Sequence, residues 1–191
     1  SLAADRNNYV RFNSIFLITT ILEIDKEFAK ELFEIVFTGD ERMLAHWNSN
    51  YIMYRFYDDY KDKIQGLLQL VFNSNDKLII KKSSSLITEI YLNKGDMKSN
   101  VYGRRGLQAE NICQIAVSYL KRKESKEKAK ELISYYLVCD DVNLENILSR
   151  LFIDDLLDVK EDKNLIINLL TSRYKRKLYY LFFPFFTCFP H

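Results

Sequence analysis

Proline and glycine are scarce in this chain of 191 residues, which contains two prolines and five glycines. Average usage would supply about ten prolines and about thirteen glycines. Both prolines, Pro184 and Pro190, lie close to the end of the sequence. Sandwiches, barrels and doubly wound α/β folds need many tight turns, and those turns use glycine and proline. The scarcity argues against these folds and favours helices joined by short polar loops.

An excess of one charge is also lacking, since 28 Lys and Arg residues stand against 26 Asp and Glu residues. A net charge of +2 does not require a nucleic acid or an anionic membrane as partner. The three cysteines, Cys113, Cys139 and Cys188, are scattered and odd in number, which favours reduced thiols over a disulfide framework. No stretch approaches the ~20 apolar residues of a membrane span. We therefore expect a cytoplasmic protein with no membrane partner.

Apolar residues recur at helical spacing along most of the chain. The fullest stripe places Ile64, Leu67, Leu68, Val71 and Phe72 at i, i+3, i+4, i+7 and i+8. Asp, Asn and Ser mark the loops between such stripes, and these residues commonly cap helix N-termini. The pattern predicts an all-α fold of about nine or ten helices of ordinary length, in a single domain over residues 1–191.

The segment around the single tryptophan has the same period. Leu44, Trp47, Tyr51 and Tyr54 stand at i, i+3, i+7 and i+10, which predicts one helix through this segment. His46 beside the tryptophan is expected to have a surface or packing role, as a lone helical histidine usually does. The chain has two histidines and no paired Cys/His spacing, so the sequence predicts no zinc site.

Three loops of similar pattern suggest an internal repeat. Each follows an apolar helix end, contains a polar turn and leads through Asp40, Asp76 or Asp141 into another amphipathic segment. Asp40 and Asp76 lie 36 residues apart, and the interval from Asp76 to Asp141 has room for two similar units. A period of ~35–45 residues with two helices per unit is typical of an α-solenoid. A closed, irregular helical bundle without a true repeat is the alternative.

The segment that begins at Asp76 resembles the second helix of a HEAT-like repeat. Its aliphatic–basic pair is Ile80-Lys81, and Ser84 stands as the small residue that lets a paired helix approach closely. The other copies depart from the pattern, since Trp47 stands where the first would have a small residue. The resemblance covers residues 25–160 and implies antiparallel helix pairs stacked as a short solenoid. Divergent bacterial repeats of this kind often form the C-terminal part of larger regulatory or sensor proteins, including STAND-type NTPases.

Two acidic motifs of the form D-D-x-x-D point to a different class of function. Asp58 and Asp62 belong to the first motif, and Asp154 and Asp158 to the second. Aspartates four residues apart share one helix face and can hold Mg²⁺. The pair resembles the Asp-rich motifs of all-α isoprenoid synthases, which bind a diphosphate through Mg²⁺. Because aspartate is also common at helix ends, the motifs have a structural interpretation as well.

Clusters of basic residues form the candidate binding site. Where successive repeats place their cations on one face, they make a groove for an acidic partner or a phosphate backbone. A solvated helix face is the simpler role for such charges. The candidate binding residues are Lys81, Lys82, Arg104, Arg105, Arg173, Lys175 and Arg176.

The last segment, residues 178–191, is rich in aromatic residues. It is too short to span a bilayer, and an exposed apolar patch of this kind marks a contact surface. We expect it to cap the last helices, because terminal units of a repeat array must cover their apolar face. Homodimer contact is the alternative. The candidate interface residues are Phe182, Phe183, Phe185 and Phe186.

The sequence as a whole predicts binding rather than catalysis. We expect a non-catalytic helical-repeat binding or scaffold module that recognises another macromolecule, with a protein as partner and without a cofactor or metal. Nucleic-acid binding through the basic clusters is the alternative, and it predicts an affinity that falls steeply with salt. A Mg²⁺-dependent enzyme similar to isoprenoid synthases is the third hypothesis, and it requires the two acidic motifs to converge on one cavity.

Overall fold

The computed structural model describes residues 3, 5–37, 40–71, 74–139, 144–154, 156–176 and 178. This part of the chain contains ten α-helices and no strand, which confirms the prediction of an all-α fold. The chain divides into two compact units, Ser1–Leu86 and Ile87–His191, which are described separately below.

The first unit is built from short helices that follow one another closely. Its opening hairpin consists of α1 (Asn8–Leu22) and α2 (Lys26–Val36), which pack against each other. Asp25 caps α2 by accepting a hydrogen bond from the Phe28 amide at 3.0 Å, as its position before the apolar stripe predicts. The remaining elements are a 3₁₀ helix (Glu41–Ala45), α3 (Ser49–Arg55), α4 (Lys61–Leu70) and the first part of α5 (Lys77–Lys94).

The second unit begins within α5 and continues through five more helices. These are α6 (Lys98–Val101), α7 (Gly106–Tyr119), α8 (Lys126–Leu137), α9 (Glu145–Ile153) and α10 (Lys163–Thr171). Helix α7 packs against α8 and α9, and α8 packs against α10. Gly95 ends α5 with a φ of 81°, a backbone conformation that glycine adopts without strain.

The serines in the middle of α5 are part of the core. Ser83 and Ser84 are both buried, as expected of small residues in the middle of this helix. Their hydroxyls donate to the backbone carbonyls of Ile79 (2.8 Å) and Ile80 (2.7 Å), four residues earlier. This bond satisfies a hydroxyl that would otherwise be costly to bury.

The helix predicted through Leu44, Trp47, Tyr51 and Tyr54 is interrupted, and this prediction was wrong in part. The 3₁₀ helix ends at Ala45, and His46 has an extended backbone with a ψ of 141°. The Nδ1 atom of His46 accepts the Asn48 amide at 3.1 Å, so the side chain competes with the helix for a backbone donor. Helix α3 begins only at Ser49.

Cationic side chains satisfy several helix C-termini in this glycine-poor chain. Arg11 donates to the last carbonyl of α2 at 3.1 Å. Lys128 donates to the Leu92 carbonyl near the end of α5 at 3.3 Å, and Lys121 to the C-cap carbonyl of α9 at 3.2 Å. Cations are favourable there because the last carbonyls lack helical partners and carry partial negative charge. Some of the basic residues are therefore part of the framework of the fold.

Candidate functional site

Exposed aromatic side chains of the first unit lie where α1 and the segment leading into α3 run side by side. The ring centroids of Phe16 and Trp47 are 6.1 Å apart. Further along both elements, the Tyr51 hydroxyl donates to Glu23 at 3.2 Å. From the first contact to the second, the residue number increases along both elements, so α1 and α3 are parallel. Their aromatic residues therefore form one continuous strip.

The side chains of this strip are unusually exposed to solvent for aromatic residues. Trp47 is 66% exposed, Phe16 51% and Tyr51 42%. Large apolar side chains that are exposed together, rather than singly, mark interaction sites in folded proteins. We call the surface formed by Phe16, Trp47 and Tyr51 the aromatic surface.

His46 packs against Trp47 on the buried side of the aromatic surface. Its ring stacks on Trp47 at 5.7 Å and meets the Phe12 ring edge-on at 4.9 Å. The side chain is buried, and this burial, together with the nearby charge of Lys82, lowers the pKa of His46. A neutral imidazole is also what the hydrogen bond from the Asn48 amide requires, since only an unprotonated Nδ1 can accept it.

Helix α5 brings positive charge to the edge of the aromatic surface. The Nζ atom of Lys82 donates to the Trp47 carbonyl at 3.3 Å, and Asn50 of α3 donates to the Lys82 carbonyl at 3.0 Å. Lys81, the preceding residue, is exposed. Lys82 is therefore in contact with the Trp47 segment, and Lys81 is exposed one residue away on the same helix.

A third cation and one carboxylate lie at the other end of the surface. The guanidinium of Arg55 is 5.9 Å from the centroid of the Tyr51 ring, within the range of a cation–π contact. The Glu23 carboxylate accepts the Tyr51 hydroxyl. Lys82 thus lies at the Trp47 end of the aromatic surface, and Arg55 and Glu23 lie at the Tyr51 end.

The other five candidate binding residues belong to the second unit. Arg104 donates to the Asn100 carbonyl at 2.9 Å, and Arg173 donates to the Tyr174 hydroxyl at 2.7 Å. Lys175 and Arg176 are exposed, as is Arg105. Arg104 and Arg173 therefore have structural partners, and nothing in the described contacts brings these five cations to one place.

The loop that contains Arg104 is fixed by tyrosines of α8. The Tyr135 hydroxyl accepts the Gly103 amide at 3.0 Å, and the Tyr136 hydroxyl accepts the Arg104 amide at 3.3 Å. Tyr136 also donates to the Val101 carbonyl at 2.6 Å, and burial raises its pKa. The backbone of this basic loop is therefore held at several points.

Two aspartates of the second acidic motif have internal partners. Asp154 pairs with Arg150 at 3.3 Å, and Asp158 accepts the amides of Lys160 and Glu161 at 2.8 and 2.9 Å. The first motif belongs to the first unit and the second motif to the second unit. Among the described residues, no group of three His, Cys, Asp or Glu side chains could hold a metal ion. The structure offers no support for the diphosphate site that the motifs suggested.

Aspartates in or near these motifs take part in two matching ion-pair clusters. In the first unit, Lys26 and Lys30 lie 3.1 and 3.4 Å from the Asp59 carboxylate. In the second, Lys126 and Lys130 lie 3.1 and 2.6 Å from the Asp162 carboxylate. In both clusters the lysines are one turn apart at the start of the second helix of a hairpin. We call these the first and second lysine–aspartate clusters.

The sequence contains a repeated pattern at these clusters, which lies outside the three loops that suggested an internal repeat. Residues 26–32 and residues 126–132 both read K-E-x-A-K-E-L, at a spacing of 100 residues. The structure gives both copies the same additional ion pair, Lys30 with Glu27 at 3.0 Å and Lys130 with Glu127 at 2.7 Å. The two hairpins are therefore related in sequence as well as in geometry.

The second unit also contains a buried thiol and an open cleft. Cys113 is buried, and this burial raises the pKa of its thiol, so it is held as an unreactive thiol. An open cleft of about 690 Å³ lies beside the end of α7 in the second unit. Its charged lining is internally matched, because Lys126 pairs with Glu161 at 3.1 Å and Lys121 binds a backbone carbonyl.

Family models, curated proteins and solved structures give no match to this chain. The similarity to HEAT-like repeats consequently remains a hypothesis based on the residues themselves. Within the described ranges, no helix has both the length and the apolar character that crossing a bilayer requires. The aromatic tail residues Phe182, Phe183, Phe185 and Phe186 lie outside the described residues.

Proposed function

We propose that this chain is a non-catalytic helical-repeat module that binds another protein through the aromatic surface of its first unit. The observation that carries the proposal is the joint exposure of Phe16, Trp47 and Tyr51 on one face. Trp, Tyr and Arg dominate the binding energy of protein interfaces, and all three types occur on this surface. Burying Trp47 alone against a partner would remove a large apolar area from water.

The repeat character of the proposal is supported by the spacing of contacts within each unit. Thr19 and Asn48 bond across 29 residues, and Trp47 and Lys82 across 35. In the second unit, Lys121 bonds to the Asp154 carbonyl across 33 residues. Contacts that recur at one helix pair's length are expected where each pair packs on its neighbour. The packing of α7 on α9 and of α8 on α10 fits the same arrangement.

Nucleic-acid binding is a second candidate, because Lys82 stands beside an exposed tryptophan. A base can stack on an indole while a lysine binds the adjacent phosphate. The Glu23 carboxylate at the same surface would repel a phosphate backbone. The nearly balanced charge of the chain also lacks the strong positive excess that is typical of nucleic-acid-binding proteins. These points favour a protein partner.

A peptide-display selection with the purified chain tests the proposal. A library of protein fragments is selected for binding to the unmodified chain, and the affinity of each recovered fragment for the unmodified chain and for its variants is measured by isothermal titration calorimetry. We expect Trp47→Ala to weaken binding by about thirtyfold, the effect of losing one ~2 kcal/mol hot spot. Leu70→Ala, which removes another exposed apolar side chain of the first unit, is the matched control and should change affinity less than about twofold. Fragments that bind both variants equally would contradict the proposal.

A further inference from the structure

We infer that the partner segment is an acidic peptide that carries apolar anchor side chains, an inference that rests on the proposed function of the aromatic surface. The class of partner follows from the charges around Phe16, Trp47 and Tyr51. Lys82 is bound beside Trp47 and Lys81 is exposed next to it on α5, while Arg55 lies over the Tyr51 ring near the Glu23 carboxylate. A peptide with an aromatic or aliphatic anchor flanked by Asp or Glu complements both features.

Two cations have defined positions at this surface. Lys82 is anchored by its bond to the Trp47 carbonyl, so its ammonium is fixed beside the indole. Lys81 is exposed next to it on α5, and Arg55 lies over the Tyr51 ring. Charges held at an interface edge steer encounter and select partners of opposite sign. Acidic residues on both sides of an anchor would reach these cations.

The geometry also fits an extended or helical segment better than a single side chain. The aromatic surface follows α1 and α3 from Phe16 and Trp47 to Tyr51, and α5 borders it at Lys82. Grooves and faces formed by parallel helices receive peptide segments through successive apolar anchors. Trp47, the most exposed of the three rings, is placed to contact the principal anchor.

A second copy of this chain suits the surface less well. A two-fold symmetric contact would bring the same patch from both subunits together, so Lys82 and Arg55 of each would be added to those of the other. Like charges brought together at an interface cost free energy and disfavour that pairing. An acidic segment from a different protein meets no such opposition.

The experiment compares defined probes on the intact chain. Random short peptides are displayed and selected, and a selected peptide is then synthesised together with a version in which every Asp and Glu is replaced by Asn and Gln. A short oligothymidylate serves as the nucleic-acid probe. Binding is measured for the unmodified chain, for Trp47→Ala and for Lys81→Glu, with Lys160→Glu of the second unit as the matched charge control. Phe16→Ala replaces Trp47→Ala where the latter alters the helical content.

We expect enrichment of Asp and Glu around an aromatic or aliphatic residue. Replacing those acids should weaken binding by about tenfold or more, and Lys81→Glu should weaken it by a similar factor, whereas Lys160→Glu should change it by less than about twofold. Selected peptides that depend on Trp47 but show no acidic preference would overturn this inference and leave the proposed function standing. Failure to select any peptide would overturn both, as would Trp47-dependent binding of the oligonucleotide alone.

Discussion

The two lysine–aspartate clusters share a sequence pattern but differ in their surroundings. Each joins two lysines of a K-E-x-A-K-E-L segment to a carboxylate of a later loop. The Asp59 side chain of the first cluster is 33% exposed, whereas that of Asp162 in the second is 0% exposed. Asp162 also accepts the Asp158 amide at 2.9 Å, an additional bond that holds the carboxylate in place.

The difference shows that an ion-pair motif has no fixed energetic value. A solvent-exposed pair contributes little because water screens it and ordering two long side chains costs entropy. A buried pair is different, because removing one partner leaves the other charge without solvation. The repeated heptapeptide is visible in the sequence, but the burial that sets its importance depends on what packs over the carboxylate.

The largest effect is expected from Asp162→Ala. The substitution removes the carboxylate that Lys126 and Lys130 share, although these lysines keep Glu161 and Glu127, and it leaves the Asp158 amide without its acceptor. We expect a loss of about 1–3 kcal/mol in the free energy of unfolding, the range for leaving a buried hydrogen-bonding group unsatisfied. Urea unfolding followed by far-ultraviolet circular dichroism measures it.

The matched control for this substitution is Glu161→Ala. Glu161 also pairs with Lys126, at 3.1 Å, but its side chain is exposed. Its removal should change the free energy of unfolding by less than about 1 kcal/mol. Equal losses for the two variants would contradict the view that burial distinguishes these ion pairs.

Acid pH should weaken the second unit through the same carboxylate. Burial by itself raises the pKa of Asp162, but hydrogen bonds from Lys130, the Asp158 amide and Lys126 lower it overall. The pair therefore stabilises the fold above the unfolded pKa of about 4, and this stabilisation is lost as pH falls through the lower folded value. Unfolding measured at a series of acid pH values should show a shallower loss in Asp162→Asn than in the unmodified chain. Parallel curves for the two proteins would exclude this role of Asp162.

Much of the fold follows from local sequence patterns. The stripe from Ile64 to Val71, the N-cap at Asp25 and the buried serines of α5 all act over a few residues, so periodicity and capping rules predict them. The break at His46 could not be predicted in this way. It depends on a side chain that accepts a backbone amide and is buried against Phe12, a residue of another helix.

The sequence did not predict the aromatic surface. Lys81 and Lys82 were proposed as binding residues from their charge, but the surface beside Lys82 depends on the interrupted helix that exposes Trp47. Charge clusters in the sequence also do not show whether a cation is already bound. Arg104 donates to a carbonyl of its own loop, which a basic dipeptide does not reveal. Long-range packing decides both points, and no local rule describes it.

The stability of the first unit should depend on pH through a histidine, whereas that of the second depends on an aspartate. Burial and the charge of Lys82 lower the pKa of His46, so the folded state favours the neutral imidazole. As pH falls below about 6.5, the unfolded chain binds a proton before the folded one does, and stability decreases down to the folded pKa. Trp47 emission reports this locally because His46 stacks on the single indole.

The comparison that tests this effect uses His46→Gln, which can still accept the Asn48 amide but does not titrate. Urea unfolding monitored by Trp47 emission should become pH-independent between about pH 5 and pH 6.5 in this variant, the range in which a histidine titrates. A variant that keeps the full pH dependence of the unmodified chain would assign it to another group.

The smallest effect is expected from Asp59→Ala in the first cluster. Lys26 and Lys30 remain solvated when Asp59 is removed, and Lys30 keeps its ion pair with Glu27 at 3.0 Å. We expect the free energy of unfolding, followed by Trp47 emission, to decrease by less than about 1 kcal/mol. High salt should reduce even this difference, because the cluster is open to counterions. A loss as large as that of Asp162→Ala would mean that the two copies of the heptapeptide are energetically equivalent and that exposure of the carboxylate does not set their contribution.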